Sequence, residues 1–143
     1  MAIANEFIRL SNFTVSPMKL QKLMYYAHGW CLRLTENALI DDSFEAWQYG
    51  PVVDSVYHAF KRFGNRHVTM MAKDYEGRPF GIDADDAPTL ALLQKIFDTY
   101  GPIDAITLSQ KTHQQGSPWD YVFNNIGPGN VITNAIIKEK FIP

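Results

Sequence analysis

Between residues 17 and 35 the chain carries one uninterrupted helical signal, and it limits the fold more than any other feature. Leu20, Leu23, Met24, Ala27, Trp30, Cys31 and Leu34 recur at three- and four-residue spacing, which gathers them on one wide apolar face. Lys19, Lys22 and Arg33 fall off that stripe. Ser16-Pro17 supplies the start: the Ser16 oxygen can accept a free N–H of the first turn, and Pro17 sits where a missing N–H costs nothing. A helix this long owes most of its stability to what packs on its apolar face, so the rest of the chain must supply partners.

Most of those partners also read as helices. Ile3, Phe7, Ile8 and Leu10 predict a short N-terminal helix ending near Ser11-Asn12. Phe44 to Tyr49 predicts a short extended segment running into Gly50-Pro51. Pro51 is expected to open a helix through Val52, Val53, Val56, Tyr57, Phe60 and Phe63, closed by Gly64. Residues 65 to 87 lose the period; turns at Glu76-Gly77 and Arg78-Pro79 predict an irregular excursion with room for a small hairpin. Asp86 or Thr89 can cap a helix carrying Leu90, Leu93, Ile96, Phe97 and Tyr100, which Gly101-Pro102 stops. A helix over about 103–113 follows, then one opened by Ser117-Pro118 ahead of Trp119, Tyr121, Val122 and Phe123. Asn130 is expected to cap the last, with Val131, Ile132, Ala135, Ile136 and Phe141. The expected fold is therefore mainly α: a single compact domain over 1–143, with about seven helices around one core.

Charge and cysteine content narrow the function. Thirteen basic against fifteen acidic residues leave a net charge of -2, which argues against the broad cationic surface that non-specific nucleic-acid binding needs. Cys31 stands alone and the N-terminus lacks a basic region followed by an apolar run, so a reducing cytoplasm is the expected compartment. Tyr121 to Ile137 carries no charged side chain, but Asn124, Asn125, Gly127, Pro128, Gly129 and Asn130 interrupt it too heavily for a bilayer span.

No catalytic or metal pattern stands out. His28, His58, His67 and His113 include no pair at four-residue spacing, so neither a metal nor another cofactor is expected. Cys31 follows His28 by three residues, yet its place on the apolar stripe favours a small buried hydrophobe over an activated thiol. Ser117 lacks a glycine-flanked elbow, and Gly127-Pro128-Gly129 lacks the lysine of a phosphate loop. Lys61, Arg62 and Arg66 could meet phosphates or an acidic partner, but cations at a helix end are explained by its dipole. The unusual feature is aromatic: with three tryptophans and seven tyrosines, Trp47, Tyr49 and Trp119 all flank Gly-Pro or Ser-Pro junctions. Such side chains either plug gaps between helices and irregular chain or anchor a partner.

Three blocks carry a resemblance. Lys19-Leu20-Gln21-Lys22-Leu23-Met24-Tyr25-Tyr26-Ala27-His28, Phe44-Glu45-Ala46-Trp47-Gln48-Tyr49-Gly50-Pro51-Val52-Val53 and Thr112-His113-Gln114-Gln115-Gly116-Ser117-Pro118-Trp119 resemble, in order and spacing, the Panacea domain of phage-associated proteins and antitoxins. The resemblance implies a mainly helical prokaryotic antitoxin that neutralises a neighbour-encoded protein toxin by direct binding, without enzymatic activity. It does not imply the toxin's class. Some members add a DNA-binding domain, for which this chain has no room. Trp47, Tyr49, His113 and Trp119 are the contact candidates, having aromatic or polar tips near loops. The competing readings are an adaptor that delivers the toxin to a protease, a phage-associated regulator binding a host protein or DNA through Lys61, Arg62 and Arg66, and a hydrolase using His28 or His113. Nucleic acid and membrane are not expected partners; a homo-oligomer is left open.

Overall fold

In the computed structural model, which describes residues 1–143, the predicted long helix occupies Pro17–Thr35. In chain order the elements are α1 (Ala2–Leu10), α2 (Pro17–Thr35), β1 (Phe44–Trp47), β2 (Gly50–Val53), α3 (Asp54–Phe60) with a 3₁₀ turn at Lys61–Phe63, α4 (Ala87–Tyr100), α5 (Ala105–Thr112), α6 (Pro118–Asn125), β3 (Val131–Ile132) and α7 (Asn134–Lys140). The fold is mainly α, with seven helices and one small sheet.

α2 is the axis of the molecule. Every residue from Leu20 to Gly29 is buried, because α1, α4, α5, α7 and the β1–β2 hairpin surround it. A helix apolar only on one stripe would keep Lys22 in solvent; instead Lys22 is 1% exposed. The far end reverses the expectation too. Leu34 is 66% exposed and Cys31 only half-buried, since the last turn of α2 runs out past the core.

Local chemistry sets the helix starts, at Ser16, Asp86 and Ser117 as the sequence predicts and at Asp104 in addition. Ser16, Asp86, Asp104 and Ser117 each accept a backbone N–H three residues on, and Pro17 and Pro118 stand in the first turns of α2 and α6. Two starts differ. Pro51 does not open a helix: residues 50–53 form β2, and α3 begins at Asp54. The β-branched pair Val52-Val53 suits a strand, and pairing with β1 across the two-residue link Gln48-Tyr49 settles the matter. Asn130 does not cap α7 either; Val131 and Ile132 pair with Glu45 and Phe44, and Thr133 caps the helix through the Ile136 N–H.

The sheet runs β2-β1-β3, all antiparallel. Its β2 edge would leave buried backbone groups open, and α2 closes it with side chains. The Gln21 amide donates to the Val53 carbonyl (3.1 Å) and its Oε1 accepts the Val53 N–H (3.0 Å), while Lys22 Nζ donates to the Pro51 carbonyl (3.2 Å). Asn5 does the same for the 65–87 excursion, donating to the Ala72 and Phe80 carbonyls and accepting the Ala72 N–H, each at 2.8 Å. That excursion is irregular as predicted, and its hairpin character shrinks to one bridge, Lys73 to Pro79. No helix is long and apolar enough to cross a membrane.

Candidate functional site

The three blocks of the resemblance lie far apart in sequence and meet around one lysine. α2 brings Lys22, the hairpin brings Gly50 and Pro51, and the end of α5 brings Thr112 and His113. Gly50, at φ +115°, is so tightly held that a Cβ would stand 2.7 Å from Thr112 Oγ1, 2.9 Å from Lys22 Cε and 3.1 Å from its Nζ. Glycine is needed here both for the backbone angle and for the close approach. Burial pushes the Lys22 amine down from 10.5 to about 7, because no opposite charge offsets the loss of water. None of the ion pairs of the fold includes it.

Hydrogen bonds lock the frame behind this lysine. Ser109 Oγ donates to the Tyr49 carbonyl (2.6 Å), Thr112 Oγ1 to the Ser109 carbonyl (2.6 Å) and Ser117 Oγ to the Thr112 carbonyl (2.9 Å). Trp119 Nε1 donates to the Trp47 carbonyl (2.6 Å), which ties α6 to the end of β1. The His113 ring stacks on Trp119 at 3.9 Å and Trp119 on Phe123 at 4.4 Å. Desolvation, then the nearby charge of Lys22, push the His113 pKa down, so the ring is neutral, and its buried Nε2 has no hydrogen-bond partner within the protein.

In front of the lysine lies a cleft of about 400 Å³ between α2, the hairpin and α3. Leu20, Val52, Val56 and Phe60 form its apolar walls, Trp47, Tyr49 and Tyr57 its rim, and Lys22 stands among the lining residues. Tyr49 is 59% and Tyr57 40% exposed, and Trp47 meets Tyr57 edge-on at 4.8 Å with its Nε1 donating to Glu45 Oε1 (2.8 Å). The four sequence candidates therefore divide. Trp47 and Tyr49 stand at the mouth of the cleft, whereas Trp119 is buried and His113 half-buried against it, both behind the hairpin.

Other candidates sit elsewhere. His28 is fully buried on α2: its Nδ1 accepts the Ile40 N–H (3.2 Å), so Nε2 carries the proton and donates to Asn134 Oδ1 (2.8 Å). Cys31 lies one turn beyond it, with its sulfur 3.6 Å from Thr35 Oγ1. No three His, Cys, Asp or Glu side chains converge as metal ligands. Arg62 and Arg66 donate to the carbonyls of Ala59, Phe63 and Arg62, closing the end of α3 and its 3₁₀ turn.

Lys22 and Gln21 are the site residues that the periodicity argument passed over. The available signal was composition: from Leu20 to Cys31 the only strongly polar side chains are Gln21, Lys22 and His28, too few to make a solvated face.

Comparison with known proteins spans the stretch that holds these blocks. Residues 20–120 match the family model described as antitoxin SocA-like, Panacea domain. Antitoxin SocA of Caulobacter vibrioides (strain NA1000 / CB15N) is 33% identical over 135 residues, covering 89% of this chain and 72% of that protein. No solved structure matches.

Proposed function

Because this chain belongs to the SocA-like, Panacea-domain antitoxin family, we propose that it neutralises a cognate protein toxin by direct binding, with the cleft between α2, the hairpin and α3 as the docking face. The observation that carries this reading is the exposed aromatic rim: Tyr49 and Tyr57 stand in solvent beside Trp47, around apolar walls that no segment of the chain covers. Aromatic side chains of this kind bury large area at low entropic cost and dominate interface energetics. Neutralisation is stoichiometric in this reading and requires no catalytic step; a standard interface of about 800 Å² per partner is enough to cover a toxin's working surface. Trp47 and Tyr49 make contact directly, and His113 and Trp119 act by holding the hairpin that presents them. The partner is a protein encoded beside this chain, rather than nucleic acid or membrane.

The test is co-expression with the neighbouring toxin gene, scoring growth and then recovery of a complex. Rescue with a stable complex is expected. Tyr49→Ala and Tyr57→Ala should each weaken the complex by about 1–3 kcal/mol, roughly fivefold to a hundredfold in Kd, without loss of fold. Unchanged affinity in both variants would move the docking face elsewhere. Rescue without a complex, accompanied by a shortened toxin half-life, would replace occlusion with delivery to a protease.

A further inference from the structure

We propose that the cleft is a carboxylate site, filled in the complex by an Asp or Glu side chain set in an apolar segment of the toxin, with Lys22 as its counter-ion. The inference rests on the docking face argued above and adds the chemistry of what enters it.

Lys22 is 1% exposed and has no acidic neighbour, an unusual state for an ammonium group. Of its three possible donors, one is used, on the Pro51 carbonyl. Gln21, the neighbouring polar side chain, is held against Val53 by one bond given and one accepted, and it carries no charge. Structural need does not account for a charge here, because a neutral donor could close the same strand edge, as Gln21 does one residue earlier. His113, the titratable group coupled to Lys22, is itself neutral and supplies no compensation. No Asp, Glu, Arg or His side chain lines the cleft, so Lys22 meets no counter-charge there.

Charge complementarity then selects the occupant. A single buried cation at a cleft walled by Leu20, Val52, Val56 and Phe60 matches one negative charge on an apolar body. A phosphate, carrying nearly two charges and many acceptors, would leave most of them unpaired against those walls. About 400 Å³ admits two or three side chains, which suits a short segment in which an acidic residue lies beside aliphatic or aromatic ones. A carboxylate beside the amine restores its full positive charge and forms a charge-assisted hydrogen bond out of water.

Two measurements test this. First, the free protein is titrated by NMR with acetyl-Phe-Asp-Leu-amide and with its Asn counterpart. The Asp peptide should bind about tenfold or more tightly, shifting the Gly50 amide and the Trp47 indole, and Lys22→Met should erase the preference. Equal binding of the two peptides, or no shift at millimolar concentration, overturns the proposal even if the Met variant fails to fold. Second, Lys22→Met is mixed with the purified toxin. A loss of tenfold or more in affinity with the fold intact supports the proposal, and affinity within twofold of the unaltered chain overturns it. A toxin complex insensitive to Lys22 leaves the docking face standing and removes only the carboxylate; a peptide preference with no toxin complex does the reverse.

Discussion

Replacing Lys22 by Met should remove a specific pH dependence from folding. In the folded chain burial holds the Lys22 amine near 7, whereas in the unfolded chain it returns to its ordinary 10.5. Between those values the unfolded state keeps a proton that the folded state has released. Stability therefore rises with pH across that window, with a slope of up to about 1.4 kcal/mol per pH unit, and is flat below about 7. Met matches the unbranched stem and has no proton to release, so this slope disappears. At pH 7 two terms oppose each other. Removing a buried, unpaired charge stabilises by about 1–4 kcal/mol, and loss of the donor to the Pro51 carbonyl costs about 1–3 kcal/mol. The variant should thus lie within about 3 kcal/mol of the original at pH 7, and should lose ground against it by about 1 kcal/mol or more per unit on the way to pH 9. The assay is urea denaturation followed by tryptophan fluorescence at pH 7, 8 and 9, comparing the difference between the two proteins at each pH. Taking the difference cancels the shared groups that do not feel the Lys22 charge, and His113, which does, has its ordinary value below this pH range. Parallel stability curves would show that Lys22 is not buried as an unpaired amine, and the carboxylate site would lose its basis.

Three further outcomes follow from the same packing. Gly50→Ala places a Cβ at φ +115° against Thr112 and Lys22, so strain and overpacking together should cost about 2–5 kcal/mol in chemical denaturation. The Tyr26 hydroxyl is buried without a hydrogen-bond partner while its ring stacks on Tyr100 at 4.3 Å. Tyr26→Phe should therefore leave the melting temperature unchanged or raise it, by no more than about 2 kcal/mol in stability. Burial also pushes the pKa values of His28 and His113 down, so the unfolded state binds their protons first as pH falls. The histidine contribution to stability should be level above the ordinary histidine value of about 6.5 and fall below it by up to about 1.4 kcal/mol per unit for each ring, and His28→Asn should flatten part of that fall in a pH series of thermal melts.

What could be read from the sequence was what neighbouring residues decide among themselves. The starts of α2, α4 and α6 are set by a capping oxygen and a proline within three or four residues, and all three were legible at Ser16-Pro17, Asp86 and Ser117-Pro118. Trp47 and Tyr49 were legible as candidates because they are aromatic and flank the Gly50-Pro51 junction. β2 was not, since Pro51-Val52-Val53 satisfies the helix rule locally and becomes a strand only through β1 on one side and Gln21, some thirty residues away, on the other. Lys22 was not either: whether a side chain off the apolar stripe meets water depends on what is laid over that side of the helix, and here it is the same hairpin. These two differences fall on one contact, between α2 and β2, and that contact forms the back of the cleft. A chain whose local preferences are otherwise consistent gives up consistency where something other than folding is selected. A lysine enclosed without a counter-ion, beside a glycine where a Cβ would meet Thr112 and the lysine itself, is a concentrated instance of that conflict, and it is the conflict that the proposed carboxylate site would resolve.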